Sequence, residues 1–160
     1  MLVANKARHN KFRAHPPAGT RRLTSGHPGM SLRTHFQPGM LIVQARGAIE
    51  AGNAARLSDH ITDLANPGRP LILDLRGVNF MNDDGFYVLV RIAECSHRTG
   101  MRWALVASEA VDRLLSVTPS TYRLPIAASV DEAMQRLTSH DPAWALPHRV
   151  VTTAKELTRC

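Results

Sequence analysis

The sequence predicts an α/β domain, and three observations indicate it. Residues 71–75 read Leu-Ile-Leu-Asp-Leu, a nearly continuous apolar run that is typical of a parallel strand buried on both faces. From residue 53 onward, segments with helical spacing of apolar residues alternate with short strand-like segments. Before them, residues 31–46 contain two strand-like runs around a turn. A hairpin followed by alternating helices and strands favours one sheet with right-handed crossovers.

The hairpin is the first predicted element. Its strands cover residues 31–36 and 40–46, and the Gln-Pro-Gly sequence at 37–39 is a turn signal between them. We expect Gly47 to end the second strand. Within a helix over residues 53–66, Leu57, Ile61 and Leu64 share one face, and Asn-Pro-Gly at 66–68 ends it.

The second half of the chain continues this alternation. Pro125 confines its own strand to an edge of the sheet, because proline has no backbone N–H to donate. Ser129 and Glu132 have the spacing of a capping box, which predicts the start of the last helix. The elements expected here are a helix at 85–98, a strand at 103–107, a helix at 109–117, a strand at 123–127 and a helix from Ser129 through Leu137.

The net charge of +7 is concentrated outside the predicted fold. Residues 1–30 carry six basic residues and no acid, whereas residues 31–139 carry eleven arginines and eleven acids. The first segment also lacks apolar periodicity and is rich in proline and glycine, so we expect a disordered basic tail. The predicted domain therefore spans residues 31–139, and residues 140–160, broken by two prolines, form a weakly structured extension. A nearly neutral fold argues against a specific nucleic-acid-binding domain.

The tail has more than one interpretation. It is either a polybasic arm that touches nucleic acid or another acidic surface, or a solvated extension without a partner. An overlong gene model that truly starts at Met30 or Met40 would also account for it.

Composition excludes several classes of protein. The apolar runs are far shorter than the roughly 20 residues that a membrane span needs. The N-terminus is basic but lacks the apolar stretch of a signal peptide, because lysine, arginine and histidine occur throughout it. Two cysteines cannot form a disulfide framework or a zinc cage made of cysteine alone. We therefore expect a cytoplasmic protein. Seventeen arginines against three lysines suggest the codon usage of a GC-rich bacterial genome.

The most informative segment joins the buried strand to the next helix through Asn82, Asp83, Asp84 and Gly85. Asn82 or Asp83 is suited to cap the helix, and Asp84 would interact favourably with the partial positive charge of its first turn. Each such interaction contributes roughly 0.3–2 kcal/mol, which accounts for one acid or amide but not for three polar residues in a row.

In the order and spacing of these features, the chain resembles the STAS family, named for sulfate transporters and anti-sigma factor antagonists. The resemblance covers residues 31–139 and includes Gly47, the strand at 71–75, the polar triplet with Gly85, and Gly100. It implies a mixed four- to five-stranded sheet with about four helices mainly on one face. In the antagonist branch, such a domain binds an anti-sigma factor that is also a serine kinase and thereby frees a sigma factor.

The chain departs from the family motif at the helix start. That motif is Asp, then Ser or Thr, then Ser, then Gly, and its second hydroxyl residue accepts the phosphate. Asp84 stands at the phosphoacceptor position, so the usual switch cannot be phosphorylated here. A carboxylate carries one charge where phosphoserine carries about 1.5–2, so Asp84 would imitate the phosphorylated state only in part. The expected partner-binding residues are Asn82, Asp83, Asp84, Gly85 and Tyr87.

Phe86 and Tyr87 are assigned different roles. Phe86 shares the helical spacing of the apolar face and is expected in the core. Tyr87 is either an exposed interface anchor or an ordinary surface residue, and the sequence leaves both open.

An enzyme is the first competing hypothesis. Asp83 and Asp84 suit a magnesium ion, but a receiver-like phosphotransfer site also needs a lysine across the sheet, and Lys6, Lys11 and Lys155 lie outside the predicted domain. No phosphate loop, nucleophile elbow or zinc-protease motif is found, and His60 and His97 are expected on the solvent faces of helices. We therefore expect no catalytic residues, no metal site and no cofactor.

A second alternative retains the fold but changes its role. STAS domains also occur in anion transporters, lipid-transport subunits and stress-signalling assemblies, so the chain could be a soluble subunit of such a complex. DNA binding ranks third, because only the basic tail supports it.

Overall fold

The computed structural model describes residues 22–27, 29–118 and 123–139, and these form a single six-stranded mixed sheet with four helices. The strands lie side by side in chain order. They are β1 Arg22–His27, β2 Met30–Gln37, β3 Met40–Ile49, β4 Leu71–Met81, β5 Trp103–Val106 and β6 Ile126–Ala127. The first three strands pair antiparallel, and β3 through β6 pair parallel. The predicted α/β class with a mixed sheet is confirmed, and the sheet has one strand more than the four to five that were expected.

Each parallel connection carries a helix. The helices are α1 Ala51–Leu64, α2 Asp83–Thr99, α3 Glu109–Val117 and, after the last strand, α4 Val130–Thr138. Apolar side chains of α1, α2 and α3 join the main core on one face of the sheet, whereas Ala133 and Leu137 of α4 join a smaller cluster on the other face. The central strands are therefore covered on both sides, which explains the continuous apolar run at residues 71–75. No helix in the described ranges is long and apolar enough to cross a bilayer.

The helix starts follow the capping chemistry of the sequence. At α4, the N–H of Glu132 donates to the Ser129 hydroxyl at 3.0 Å, as the capping box predicted. At α3, the N–H of Val111 donates to the Ser108 hydroxyl at 3.3 Å. Helix α1 begins at Ala51, two residues before the predicted start, because Glu50 already occupies the capping position directly after β3.

Strands β3 and β4 are longer than the sequence predicted. We expected Gly47 to end the second strand, but β3 continues to Ile49 and β4 continues to Met81. Gly47 has a φ of 97°, and a Cβ atom there would overlap the carbonyl oxygen of Gly29. Glycine therefore marks a close approach of two backbones rather than a strand end.

The first strand also differs from expectation. Residues 22–27 lie in the segment assigned to a disordered tail, yet they form β1 against β2. Strand pairing satisfies backbone N–H and C=O groups and does not require an apolar pattern. Composition alone therefore could not predict β1. Residues 1–21 and 140–160, for which disorder and weak structure were expected, lie outside the described residues.

His60 was expected on a solvent face, but it is half-buried and contacts the sheet. Its Nε2 atom lies 2.7 Å from the hydroxyl oxygen of Thr34, a fully buried residue of β2. Burial lowers the pKa of His60, and the nearby Asp63 carboxylate only partly opposes that effect. His97, by contrast, is exposed on α2 as expected.

The His60 contact predicts a pH dependence of stability. Because its pKa is lowered by folding, the unfolded chain takes up the proton first as the pH falls below the usual value of 6.5. We expect wild type to lose more unfolding free energy than His60→Gln when urea titrations at about pH 7.5 are repeated at about pH 5.5. His97→Gln is the matched control and should behave as wild type does. Equal pH slopes for His60→Gln and wild type would contradict the prediction.

The close approach at Gly47 predicts a second stability effect. Gly47→Ala should destabilise the fold by about 3 kcal/mol or more, because it combines a positive φ with a clash against the backbone of Gly29. Gly39→Ala is the control, since Gly39 has a φ of 76° with no atom within 4 Å of the added carbon. That variant should lose only about 1 kcal/mol. Chemical denaturation measures both values, and similar losses would show that the steric conflict is relieved elsewhere.

Candidate functional site

The polar segment predicted from the sequence lies where two parallel strands end together. Ile49, the last residue of β3, is paired with Met81, the last residue of β4. Helices α1 and α2 begin immediately after these residues, and the N–H of Asn82 donates to the carbonyl oxygen of Ile49 at 3.2 Å. We call residues 82–87 the acidic corner. The backbone at the start of the acidic corner is therefore fixed to the carboxyl end of β3.

Asn82 has two functions at this corner. Its side-chain oxygen accepts the N–H of Gly85 at 3.3 Å, so Asn82 is the cap of α2. Its side-chain amide also donates to Oδ2 of Asp84 at 2.9 Å. One side chain thus starts the helix and orients the carboxylate two residues further on.

Asp83 and Asp84 are both exposed in the first turn of α2. Their negative charges stabilise the helix, because the unpaired N–H groups of its N-terminus carry partial positive charge. None of the ion pairs in the described part of the chain involves either carboxylate. The two acids therefore present negative charge to solvent.

Gly85 is required by the packing beneath the corner. A Cβ atom at this position would lie 2.5 Å from Cγ of Met81 and 3.1 Å from Cγ2 of Ile49. Both neighbours are buried core residues at the strand ends. A larger residue would push the helix start away from the sheet, so Gly85 sets the position of the acids above it.

Two aromatic residues extend the exposed surface. Phe86 is buried, and its ring packs edge-on against Tyr87 with 6.1 Å between ring centroids. Tyr87 is 63% exposed, which is compatible with both of its interpretations. Phe80, near the end of β4, is 52% exposed and was not singled out from the sequence. A sequence analysis could have found Phe80 only by extending β4 beyond the apolar run at residues 71–75, because that extension places Phe80 next to the acidic corner.

The corner shows no arrangement for a metal ion. Among the described residues, no group of three or more histidine, cysteine, aspartate or glutamate side chains is placed to hold one. Glu50, Asp83 and Asp84 follow neighbouring strand ends, but they do not converge. The chemistry available at this surface is therefore charge, hydrogen bonding and aromatic contact.

A polar network that the sequence did not predict crosses the sheet. Nε2 of Gln44 donates to Oδ2 of Asp74 at 3.0 Å, and Oε1 of Gln44 lies 3.2 Å from Nε2 of His35. Arg76 donates to both carboxylate oxygens of Asp74 at 2.9 Å. Burial alone would raise the pKa of Asp74, but the hydrogen bonds from Arg76 and Gln44 outweigh it and lower that pKa. Asp74 is thus a charged residue inside a strand that the apolar pattern presented as core.

Solved structures share this fold. An anti-sigma factor antagonist from Mycobacterium paratuberculosis is 21% identical, with a TM-score of 0.54, over 76% of this chain and 97% of that one. A putative anti-sigma factor antagonist from Thermotoga maritima is 22% identical, with a TM-score of 0.54, over 65% of this chain and 92% of that one. At these identities the likeness concerns the fold alone.

Sequence comparison is more specific. Osmosensory protein A of Mycobacterium tuberculosis (strain ATCC 25618 / H37Rv) is 30% identical over 125 residues, which cover 76% of each chain. The STAS domain family matches residues 31–133, more than half of the chain. That range contains the strand hairpin, the acidic corner and most of the parallel sheet. The chain therefore belongs to the STAS domain family, as its motifs implied.

Proposed function

We propose that this chain is a non-enzymatic regulatory module that binds an anti-sigma factor of the serine-kinase type through its acidic corner and so frees a sigma factor. The observation that carries the proposal is the exposed carboxylate of Asp84, which stands at the family's phosphoacceptor position on the first turn of α2. The fold shared with anti-sigma factor antagonists supports the same role.

The local geometry supports a fixed rather than a regulated charge. Asn82 orients the Asp84 carboxylate, and the backbone beneath is tied to the end of β3. A phosphate could be added and removed at a serine, whereas a kinase cannot switch the carboxylate of an aspartate on or off. Its single charge is smaller than that of a phosphoserine, so the partner would meet an intermediate electrostatic state. The module would consequently bind with a constant affinity that a kinase cannot change at this position.

The corner also has the composition of an interface. A charge that loses its water against a like charge on the partner disfavours association by several kcal/mol, so one carboxylate is sufficient to tune binding. Tyr87 supplies an exposed aromatic ring beside that charge, and exposed tyrosine is enriched among residues that dominate binding energy. Phe80 adds a second exposed ring on the strand that leads into the corner.

A stress-signalling assembly is the second candidate role. The name of the mycobacterial relative, Osmosensory protein A, favours it over a transport complex. Affinity capture of the full chain from cell extract distinguishes the roles by the fold of the recovered partner. An anti-sigma factor with an ATPase fold supports the first, components of a stress-signalling complex support the second, and membrane-transport components contradict both.

Asp84→Ser should give this position an uncharged side chain and the hydroxyl group that accepts phosphate in the family motif. We expect about tenfold tighter binding to the captured anti-sigma factor by calorimetry, because the Asp84 carboxylate no longer has to lose its water in the interface. We also expect the variant to become a kinase substrate, which intact-protein mass spectrometry detects. Asp84→Asn should tighten binding without accepting phosphate.

Asp83→Ser is the matched control, since it removes an equal charge one residue earlier without losing the hydrogen bond from Asn82. It should change the affinity much less than Asp84→Ser. Unchanged affinity and no phosphate on Asp84→Ser would refute a switch role for this position.

Tyr87→Ser should weaken binding of the same partner by at least about tenfold, because an exposed aromatic anchor loses its contact area. Val117→Ser is the control, since Val117 is 76% exposed on α3, a helix that does not contribute to the corner. It should leave the affinity within about twofold. Equal effects of the two substitutions in calorimetry would show that Tyr87 is an ordinary surface residue.

A further inference from the structure

Among the residues that the structure describes, one face of the sheet is covered only in part. Helix α4 packs on the cluster that includes Ile42, Ile72 and Val106, whereas α1, α2 and α3 lie on the other face. The part of the sheet beside α4 that belongs to β2, β3 and β4 presents polar side chains. We call this surface the basic face, and it consists of Arg33, His35, Gln44, Arg46, Asp74 and Arg76.

Strand register places these side chains together. Arg33 of β2 lies opposite Gln44 of β3, and Gln44 lies opposite Asp74 of β4. Leu32 and Thr34, the neighbours of Arg33, are buried on the other face, as the alternation of a strand requires. Arg33, Arg46 and Arg76 are exposed, while Asp74 is buried.

Arg76 is held in one orientation. Its Nε and Nη2 atoms donate to the two oxygens of Asp74, yet its side chain remains 54% exposed. A guanidinium has five N–H groups, so this pair uses two of them. An arginine that is already ordered loses less conformational entropy when it meets a ligand.

Arg46 is accommodated by a glycine. It pairs with Gly77 of β4, and a Cβ atom at Gly77 would overlap Cγ of Arg46. Because Gly77 has no side chain, the aliphatic part of Arg46 lies directly against β4 at this position. Gly77 follows Arg76 in the sequence, so Arg46 packs beside the residue next to Arg76. In the described part of the chain, the ion pairs include neither Arg33 nor Arg46.

The charges on this surface are unbalanced. The carboxylate of Asp74 is buried and already bound in a bidentate pair with Arg76, and Asp131 of α4 adds only a weaker attraction on Arg76, so the three arginines outnumber the negative charges near them. Like charges fixed on a rigid sheet repel each other unless a counter-charge arrives. A neutral or mixed surface would be more stable in isolation, and such local conflicts concentrate at functional sites.

We propose that the basic face binds an acidic segment of a partner protein, through carboxylates that pair with Arg33, Arg46 and Arg76. The planar guanidinium matches a carboxylate in a two-point hydrogen bond. A nucleic acid is the less suitable occupant. His35, which is half-buried, has the only aromatic ring among the six residues of the face, and Phe36 packs against the main core, so the face offers little surface on which bases could stack.

This inference is independent of the anti-sigma proposal. The basic face carries the opposite charge from the acidic corner, and it lies on the surface of the sheet rather than at the ends of β3 and β4.

The first test uses a fluorescein-labelled peptide of about ten glutamates and the full-length chain at low ionic strength. Fluorescence anisotropy should show salt-sensitive binding that Arg33→Ser/Arg46→Ser weakens by at least about tenfold. Arg91→Ser/Arg123→Ser removes an equal charge from exposed positions elsewhere and should stay within about twofold of wild type. The basic N-terminal segment is common to all three proteins, so the difference reports on the sheet. Absence of binding, or equal losses in both variants, would overturn the proposal.

The second test locates the peptide and separates the two classes of ligand. Amide shifts in a ¹⁵N spectrum should concentrate on β2, β3 and β4 upon addition of the peptide, with residues 83–87 unaffected. Shifts confined to residues 1–30 would overturn the proposal. So would a DNA duplex of about twelve base pairs that binds more tightly than the peptide and is weakened by Arg33→Ser/Arg46→Ser.

Discussion

The parallel pairing of β3 with β4 up to their last residues is the constraint on which the functional surfaces depend. Ile49 and Met81 end side by side, and the Asn82 N–H bonds back to Ile49. Helix α2 can begin there because Gly85 has no side chain to separate it from the strand ends. The exposed acids of the corner therefore stand on a rigid support, and their charge is presented at a fixed place.

The same pairing creates the basic face through its irregularities. The register shifts between Gln44 and Arg46 and again between Gly47 and Ala48. Extra residues in β4 at such bulges re-aim the following side chains, and here both Arg76 and Gly77 are exposed directly after the buried run at residues 71–75. The β3–β4 pair thus supports both the acidic corner and the basic face, and a change in the register of this pair would displace both.

The sequence predicted what local patterns determine. The helices follow apolar spacing, the α4 start follows a capping box, and the exposure of Tyr87 follows its place on α2. It did not predict β1, because pairing with the adjacent β2 requires no apolar pattern. It also did not predict the full length of β4 or the Thr34–His60 contact, because these depend on strands and helices that are distant in the sequence. At the corner, the residue types indicated a cap and exposed charge. The hydrogen bond from the Asn82 amide to Asp84 depends on side-chain orientation, which residue types do not specify.

Charge counting shows why arrangement matters more than totals. Residues 31–139 contain equal numbers of arginines and acids, which predicts a domain of nearly neutral net charge. Within that domain, Asp83 and Asp84 lie at the strand ends, whereas Arg33, Arg46 and Arg76 lie on the open sheet. Equal numbers of opposite charges that are separated in this way leave local potentials, and local potentials steer and select partners. A neutral composition is therefore compatible with two charged binding surfaces on one small domain.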